Sequence, residues 1–108
     1  MAAKYRILKT AEFAADFEAL EKAEKERVEN FLMQLSEKGS SVGKPLSGLP
    51  FFREKKFNGK RLYYLVYENY FVVLAVAISD KKAQQAVINN AMVNLLNYKK
   101  YVDEIVRK

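Results

Sequence analysis

The sequence predicts an α+β fold in which two antiparallel N-terminal helices pack on a small, mainly antiparallel four-stranded sheet, followed by a long C-terminal helix. Three observations predict it. Apolar residues recur at helical spacing in the first third of the chain, strand-like segments follow around an Asn-Gly turn, and helical spacing returns after Asp80. A chain of 108 residues is about the length of one domain, and we expect residues 1–108 to form it.

The first third of the chain predicts a short strand and two helices. Tyr5 to Lys9 alternate loosely as a strand does, and Thr10 is a suitable N-cap for the helix that follows. The second helix begins near Lys22, and residues 44–50 are predicted to form a connecting loop. The apolar stripes are Phe13, Phe17 and Leu20 in the first helix, and Val28, Phe31, Leu32 and Leu35 in the second.

The middle of the chain predicts three antiparallel strands. Residues 52–57 and 60–67 flank Asn58-Gly59, the strongest short hairpin signal. Glu68-Asn69 predicts a second tight turn, and residues 71–78 form the last strand. This strand is apolar at successive positions, so we expect it to be central and covered on both faces.

The Asn-Gly turn fixes which residues of the hairpin face each other. It places Lys56 opposite Arg61 and Glu54 opposite Tyr63, and all four on one face of the sheet. Two opposed cations destabilise a strand pair by up to about 1 kcal/mol. A phosphate between them would replace the repulsion with charge-assisted hydrogen bonds, whereas in the alternative both side chains extend into water at little cost. The other face is predicted to join the core through Leu62, Tyr64 and Val66.

Asp80 is predicted to cap one long C-terminal helix. Lys81 and Lys82 lie at its start, where backbone N–H groups and the helix dipole favour a phosphate, although lysine pairs are also common on exposed helix starts. The helix carries a continuous apolar stripe formed by Ile88, Ala91, Leu95, Tyr98, Val102 and Ile105. This stripe either covers one face of the sheet or, at its far end, docks a partner protein through Leu95, Tyr98, Val102 and Ile105.

Charge and composition narrow the classes of function. Residues 38–82 carry nine basic and three acidic residues, and this segment alone accounts for the net charge of +6. Concentrated positive charge favours a polyanion such as nucleic acid, although a solvated lysine-rich surface is the alternative. The chain has neither histidine nor cysteine, and its carboxylates show no metal-ligand spacing, so we expect no metal or other cofactor. The longest apolar run, residues 70–78, is too short to span a membrane, no signal peptide is recognisable, and we expect a cytoplasmic location.

Several short motifs resemble those of the RelE/ParE superfamily of toxins from type II toxin–antitoxin systems. Gly43-Lys-Pro-Leu46 with Leu46-Ser-Gly-Leu-Pro50 resembles the loop before the second strand of that fold. Glu54-Lys-Lys56 followed by Gly59-Lys-Arg-Leu-Tyr-Tyr64 resembles its hairpin, and Lys81-Lys-Ala-Gln84 resembles a segment of HigB-like members. The likeness covers roughly residues 4–98.

The resemblance implies a ribosome-dependent mRNA endonuclease that uses the 2′-hydroxyl of the message to attack the adjacent phosphate. It implies that Arg61 stabilises the phosphorane, that Lys56 orients the phosphate or acts as base, and that Lys81 or Lys82 supplies a further cation. Substrate contacts are expected from Lys44, Arg53, Glu54 and Tyr63, the last because bases stack on aromatic rings.

The resemblance also implies partners. The first is a cognate antitoxin, expected to be acidic and partly disordered, and the second is mRNA on the ribosome. Two alternatives stay open: a ParE-like protein that inhibits DNA gyrase by binding it without catalysis, and a degenerate toxin that only binds its antitoxin or RNA.

Overall fold

Five strands form one mixed sheet with helices on both faces in the computed structural model, which describes residues 4–46 and 48–108. The elements are β1 (Arg6–Lys9), α1 (Ala11–Glu18), α2 (Lys22–Lys38), β2 (Lys44–Leu46), β3 (Leu49–Phe57), β4 (Lys60–Tyr67), β5 (Val72–Asp80), α3 (Gln84–Val93) and α4 (Leu95–Arg107). The spatial order is β1-β5-β4-β3-β2, with β1 parallel to β5 and the other neighbours antiparallel. The predicted α+β class is confirmed, but the sheet has five strands instead of four.

The additional strand is β2, which lies where the sequence predicted a connecting loop. Lys44 pairs with Glu54 and Pro45 with Arg53 of β3, and the register shifts after Pro45. A proline lacks the N–H that a central strand would need, and it is tolerated here because β2 is an edge strand. The prediction of a loop over residues 44–50 is therefore wrong, although residue 47 lies outside the described residues.

The strand β5 is central, as its apolar sequence predicted. It lies between β1 and β4, and it is buried on both faces along most of its length. Where β1 ends, side chains from the first helix complete the exposed edge of β5. The Thr10 hydroxyl donates a hydrogen bond of 2.9 Å to the Val76 carbonyl, and the Asp16 carboxylate accepts one of 2.9 Å from the Ile78 N–H.

The helices α1 and α2 cover one face of the sheet. The Thr10 hydroxyl accepts a hydrogen bond of 3.0 Å from the Phe13 N–H, which confirms the predicted N-cap of α1. Glu21 and Glu24 form a reciprocal capping box at the start of α2. The apolar residues of both helices pack on a sheet face formed by Phe57, Leu62, Tyr64, Val66, Val73, Ala75 and Ile78.

The opposite face is covered by α3 and α4, which replace the single long helix that the sequence predicted. The break lies at Asn94, whose φ and ψ are −103° and 8°. The Asn94 side-chain amide donates a hydrogen bond of 2.8 Å to the Asn90 carbonyl, and this kind of local bond competes with helix continuation.

The predicted apolar stripe nevertheless keeps one direction across the break, and it faces the protein's own sheet. Val102 is completely buried, and Leu95 and Tyr98 pack against the same core as Phe52. Of the two alternatives, the stripe covers the sheet at Leu95, Tyr98 and Val102, and partner binding through Leu95, Tyr98, Val102 and Ile105 stays a prediction.

Candidate functional site

The β3–β4 hairpin has the register that its Asn-Gly turn predicts. Lys56 lies opposite Arg61, and Glu54 lies opposite Tyr63. The turn residues Asn58-Gly59 have φ values of 47° and 75°, the left-handed conformation of a type I′ turn. Glu54, Lys56, Arg61 and Tyr63 therefore share the sheet face that carries α3 and α4.

The tip of the hairpin is fixed to α2 through Glu24. The Lys60 ammonium lies 2.9 Å from one oxygen of the Glu24 carboxylate, and the Asn58 amide donates a hydrogen bond of 2.8 Å to the other. The Lys60 hydrogen bond, followed by that of Asn58, lowers the pKa of Glu24 below its usual value. The hairpin is thereby held at a fixed position beside the N-terminal half of α2.

Arg61 forms a buried ion pair with Glu54, its diagonal neighbour across the hairpin. The Nε atom of Arg61 lies 3.6 Å from Oε1 of Glu54, and the two side chains are only 12% and 9% exposed. The sequence hypothesis offered a phosphate or water as relief for the repulsion between Lys56 and Arg61. In the structure, the Arg61 side chain extends toward Glu54, and attraction to this carboxylate offsets the repulsion between Lys56 and Arg61.

An open depression of about 310 Å³ lies at the end of the hairpin and brings several predicted residues together. Lys56 and Lys81 are exposed at it, whereas Arg61 is mostly buried. Its lining contains basic residues and no acidic one: Arg27, Lys56, Phe57, Asn58, Gly59, Lys60, Arg61 and Lys81. A concave surface with this composition attracts anions and suits a phosphate group.

A second depression, of about 290 Å³, lies next to the first and shares Lys56 with it. It extends toward the edge strand β2, and its lining is Gly43, Lys44, Glu54, Lys55 and Lys56. The Lys55 side chain belongs to the opposite face of the sheet, where its ammonium lies 5.6 Å from the centre of the Phe31 ring. Lys44, Glu54 and Lys56 are therefore the charged side chains on the face of the candidate site.

Lys81 and Lys82 precede the third helix instead of forming its first turn. The Asp80 carboxylate accepts a hydrogen bond of 2.9 Å from the Ala83 N–H, and the helix begins at Gln84. Asp80 therefore occupies one of the N–H groups that the sequence hypothesis assigned to a phosphate. Lys81 lines the first depression, whereas Lys82 is exposed in the same turn without lining either depression.

Two of the predicted substrate contacts are structural residues. Arg53 lies on the other face of β3, and its guanidinium donates to the carbonyls of Val42, Pro50 and Gly43 at 3.3, 3.0 and 3.1 Å. Tyr63 is completely buried, its hydroxyl lies 2.9 Å from that of Ser79, and burial raises the pKa of Tyr63. Neither side chain lines either depression, and a contact of these two residues with a substrate stays a prediction.

Arg27 is a candidate residue that the sequence reasoning missed. It is exposed on α2, for which the sequence analysis named only the apolar stripe, and it lines the first depression. The sequence feature that relates Arg27 to the site is its spacing from Glu24. Arg27 follows Glu24 by three residues, close to one helical turn, and Glu24 contacts the hairpin.

Within residues 4–46 and 48–108, no cluster of three or more carboxylate, histidine or cysteine side chains could hold a metal ion. Over the same residues, no helix is long and apolar enough to cross a membrane. The site combines exposed ammonium groups, a mostly buried guanidinium and one buried carboxylate, a set able to bind a phosphodiester and to stabilise added negative charge.

Comparison with known proteins adds a fold relationship. No protein-family model matches the sequence, and no curated protein matches it significantly. Solved structures do match. A chain of a RelBE toxin–antitoxin complex from Mycobacterium tuberculosis has 20% identity and a TM-score of 0.63, with 75% of this chain and 95% of that chain covered. The isolated Escherichia coli RelE toxin has 20% identity and a TM-score of 0.61, with 79% and 97% covered. A chain of the RelE–RelB complex of Pyrococcus horikoshii has 16% identity and a TM-score of 0.61, with 72% and 96% covered. The chain therefore has the fold of RelE toxins.

Proposed function

We propose that this protein is the toxin of a toxin–antitoxin pair and that it cleaves messenger RNA on the ribosome. The observation that carries the proposal is the convergence of Arg61, Lys56 and Lys81 on one depression of a RelE-like fold. The fold alone does not imply an activity, so the argument depends on what these side chains do to a phosphodiester.

The proposed reaction is an internal transesterification that needs no metal. The 2′-oxygen of one nucleotide attacks the adjacent phosphorus and gives up its proton to a base. The bond from phosphorus to the 5′-oxygen of the next nucleotide breaks, and that oxygen takes up a proton. The products are a 2′,3′-cyclic phosphate and a 5′-hydroxyl, so atoms and charges balance without a further reactant.

Three cations of the depression have a role in this reaction. Arg61 donates hydrogen bonds to the phosphorane oxygens, where negative charge develops. Lys56, which lies opposite Arg61 on the hairpin, orients the phosphate or, when bound RNA excludes water from it, serves as the base for the 2′-hydroxyl. Lys81 lies in the same depression and stabilises the leaving 5′-oxygen.

Flanking nucleotides contact the surface around this centre. Lys44 extends the positive surface toward the edge strand through the second depression, and Lys82 is exposed next to Lys81. We assign both to outer phosphates of the message, where contacts of this kind position a strand without reading its sequence. Glu54 lies between the two depressions and contacts Arg61.

Besides mRNA, the proposed partner is an antitoxin of opposite charge. Three of the matching structures are complexes of RelE and RelB chains, and this chain carries a net charge of +6. An acidic chain that covers the depression would neutralise these cations and exclude RNA.

The test is a cleavage assay in a purified translation system. Protein is added to a message that is being translated, and the new 5′ ends of the downstream fragments are located by primer extension, with a parallel reaction that lacks ribosomes. The proposal predicts cuts only when ribosomes translate the message. Block of bacterial growth without such cuts would overturn it, and inhibition of gyrase supercoiling in that case would identify the ParE-like alternative.

A further inference from the structure

The contact between Glu54 and Arg61 is the least satisfied polar contact in the described interior. In residues 4–46 and 48–108, Glu54 Oε1 and Arg61 Nε are the buried side-chain polar atoms that lack a hydrogen-bond partner. They face each other at 3.6 Å, beyond the length of a good hydrogen bond. Buried polar atoms are nearly always hydrogen-bonded, so this pair calls for an explanation.

Stability does not explain the pair. Burying two charges removes their hydration, and mutual attraction offsets that loss only when geometry is good and further hydrogen bonds complete it. Here the side chains are 12% and 9% exposed and the hydrogen bonds are missing. Apolar residues of similar size would stabilise this face of the hairpin at least as well.

The direction of the contact does offer an explanation. A guanidinium is planar and rigid, so fixing Nε also fixes the plane in which its two terminal nitrogens point. Glu54 lies on the Nε side of Arg61, and Arg61 lines the first depression. The terminal nitrogens are therefore the donors left for a ligand in that depression.

We propose that Glu54 is a positioning residue for Arg61. Its carboxylate attracts Nε, which directs the terminal nitrogens toward a phosphodiester in the depression, and the phosphodiester oxygens accept hydrogen bonds from those nitrogens. The identity of the ligand as RNA rests on the function proposed above. The restraint that Glu54 imposes on Arg61 does not depend on that function.

This role has two effects of opposite sign. A carboxylate beside a phosphate site repels the phosphates, so Glu54 lowers the affinity for RNA. The same carboxylate orients the guanidinium, so it raises the rate of cleavage once RNA is bound. A residue with a purely structural role would support affinity and rate together.

Three variants separate these effects. Glu54→Gln removes the charge, Glu54→Asp keeps the charge but moves it back by one methylene, and Glu37→Gln removes an equal charge from the exposed C-terminal end of α2, outside both depressions. The cleavage rate on programmed ribosomes is measured at saturating protein, and the affinity is measured with a single-stranded oligoribonucleotide that is 2′-O-methylated and cannot be cleaved.

The expected results differ for each variant. Glu54→Gln binds the oligoribonucleotide more tightly but cleaves about 10- to 100-fold more slowly, the scale expected when a reacting group is misplaced. Glu54→Asp cleaves more slowly with unchanged affinity, and Glu37→Gln keeps the rate of the unmodified protein. Rate and affinity that fall together in both Glu54 variants, or rise together in Glu54→Gln, would overturn the proposal.

A measurement without RNA keeps the inference separate from the proposed function. The Nε–Hε resonance of Arg61, assigned by its loss in Arg61→Lys, should exchange slowly with water in the unmodified protein and rapidly in both Glu54 variants. Glu37→Gln should leave it slow. Equal exchange in the unmodified protein and the Glu54 variants overturns the positioning role, whereas a protein that shows the restraint but cuts no message overturns only the proposed function.

Discussion

The Lys60 ammonium lies 2.9 Å from the Glu24 carboxylate and joins the tip of the β3–β4 hairpin to α2. The partners are 36 residues apart in sequence, and the Asn58 amide donates to the second carboxylate oxygen. This contact determines where the hairpin, with Lys56 and Arg61, stands relative to the helix that carries Arg27.

The first prediction concerns the pH dependence of this contact. The pKa of Glu24 is lower in the folded protein than its usual value, chiefly because Lys60 donates to it. The unfolded chain therefore takes up this proton at a higher pH than the folded protein, and the stabilisation from the pair is lost as pH falls from the usual glutamate value, about 4.3, through the folded one. Urea unfolding should show Glu24→Gln less stable than the unmodified protein at neutral pH, with the difference shrinking in acid. A difference that is constant with pH contradicts this account.

The second prediction concerns Gly43, where the backbone approaches the core too closely for a side chain. Its φ is +79°, and a Cβ atom there would collide with the Tyr64 hydroxyl, which donates a hydrogen bond of 2.7 Å to the Val42 carbonyl. Gly43→Ala should therefore lower the free energy of unfolding by about 2–4 kcal/mol, from left-handed strain together with the lost hydrogen bond. Gly59→Ala is the control, since Gly59 has a φ of +75° with no atom within 4 Å of the added methyl. Equal losses in the two variants would show that the close approach has no energetic effect.

The third prediction tests the direction of the α4 stripe. Val102 is completely buried against the sheet, whereas Leu96 is 78% exposed on the same helix. Val102→Ala should destabilise the isolated protein by about 2 kcal/mol, through lost burial and a residual cavity, and Leu96→Ala by less than about 0.5 kcal/mol. Thermal or urea unfolding of the two variants measures both losses in the free energy of unfolding. A larger loss for Leu96→Ala would mean that α4 presents its other face to the sheet.

The fourth prediction uses two adjacent lysines on opposite faces of β3. Lys56 lies opposite Arg61 and lines the first depression, whereas Lys55 lies opposite Leu62 and reaches over the Phe31 ring. Each alanine variant removes one positive charge, and the two positions are adjacent in the sequence. We expect Lys56→Ala to reduce ribosome-dependent cleavage about 100-fold, in the range found for loss of a group that transfers a proton or stabilises charge, and Lys55→Ala to retain it. Similar losses in both variants would indicate that only net charge matters.

The parts of the fold that the sequence predicted well are those governed by local chemistry. The Asn58-Gly59 turn permits one register, and that register placed Lys56, Arg61 and Glu54 correctly. The apolar residues of Val72–Asp80 predicted a central strand in the same way. Thr10 predicted the start of α1 because a hydroxyl at the N-cap accepts a hydrogen bond from an N–H group that is otherwise unpaired.

The parts that the sequence missed depend on contacts between distant segments. The three-residue strand β2 is held by its pairing with β3, and its proline obscured it. The break at Asn94 is invisible to apolar spacing, because the stripe continues through it. Strand register alone left Tyr63 accessible to a substrate, but α3 and α4 cover the sheet face on which it lies. The orientation of Arg61 toward Glu54 depends on side-chain packing, which strand register does not specify.

The most direct test of the proposed function is primer extension on a translated message with unmodified protein beside Arg61→Ala. Because Arg61 is assigned to the phosphorane, its loss should reduce cleavage by about 100- to 1,000-fold, while circular dichroism confirms that the variant is folded. The account predicts new ribosome-dependent 5′ ends with the unmodified protein and almost none with Arg61→Ala. Cleavage that persists undiminished in folded Arg61→Ala would contradict it.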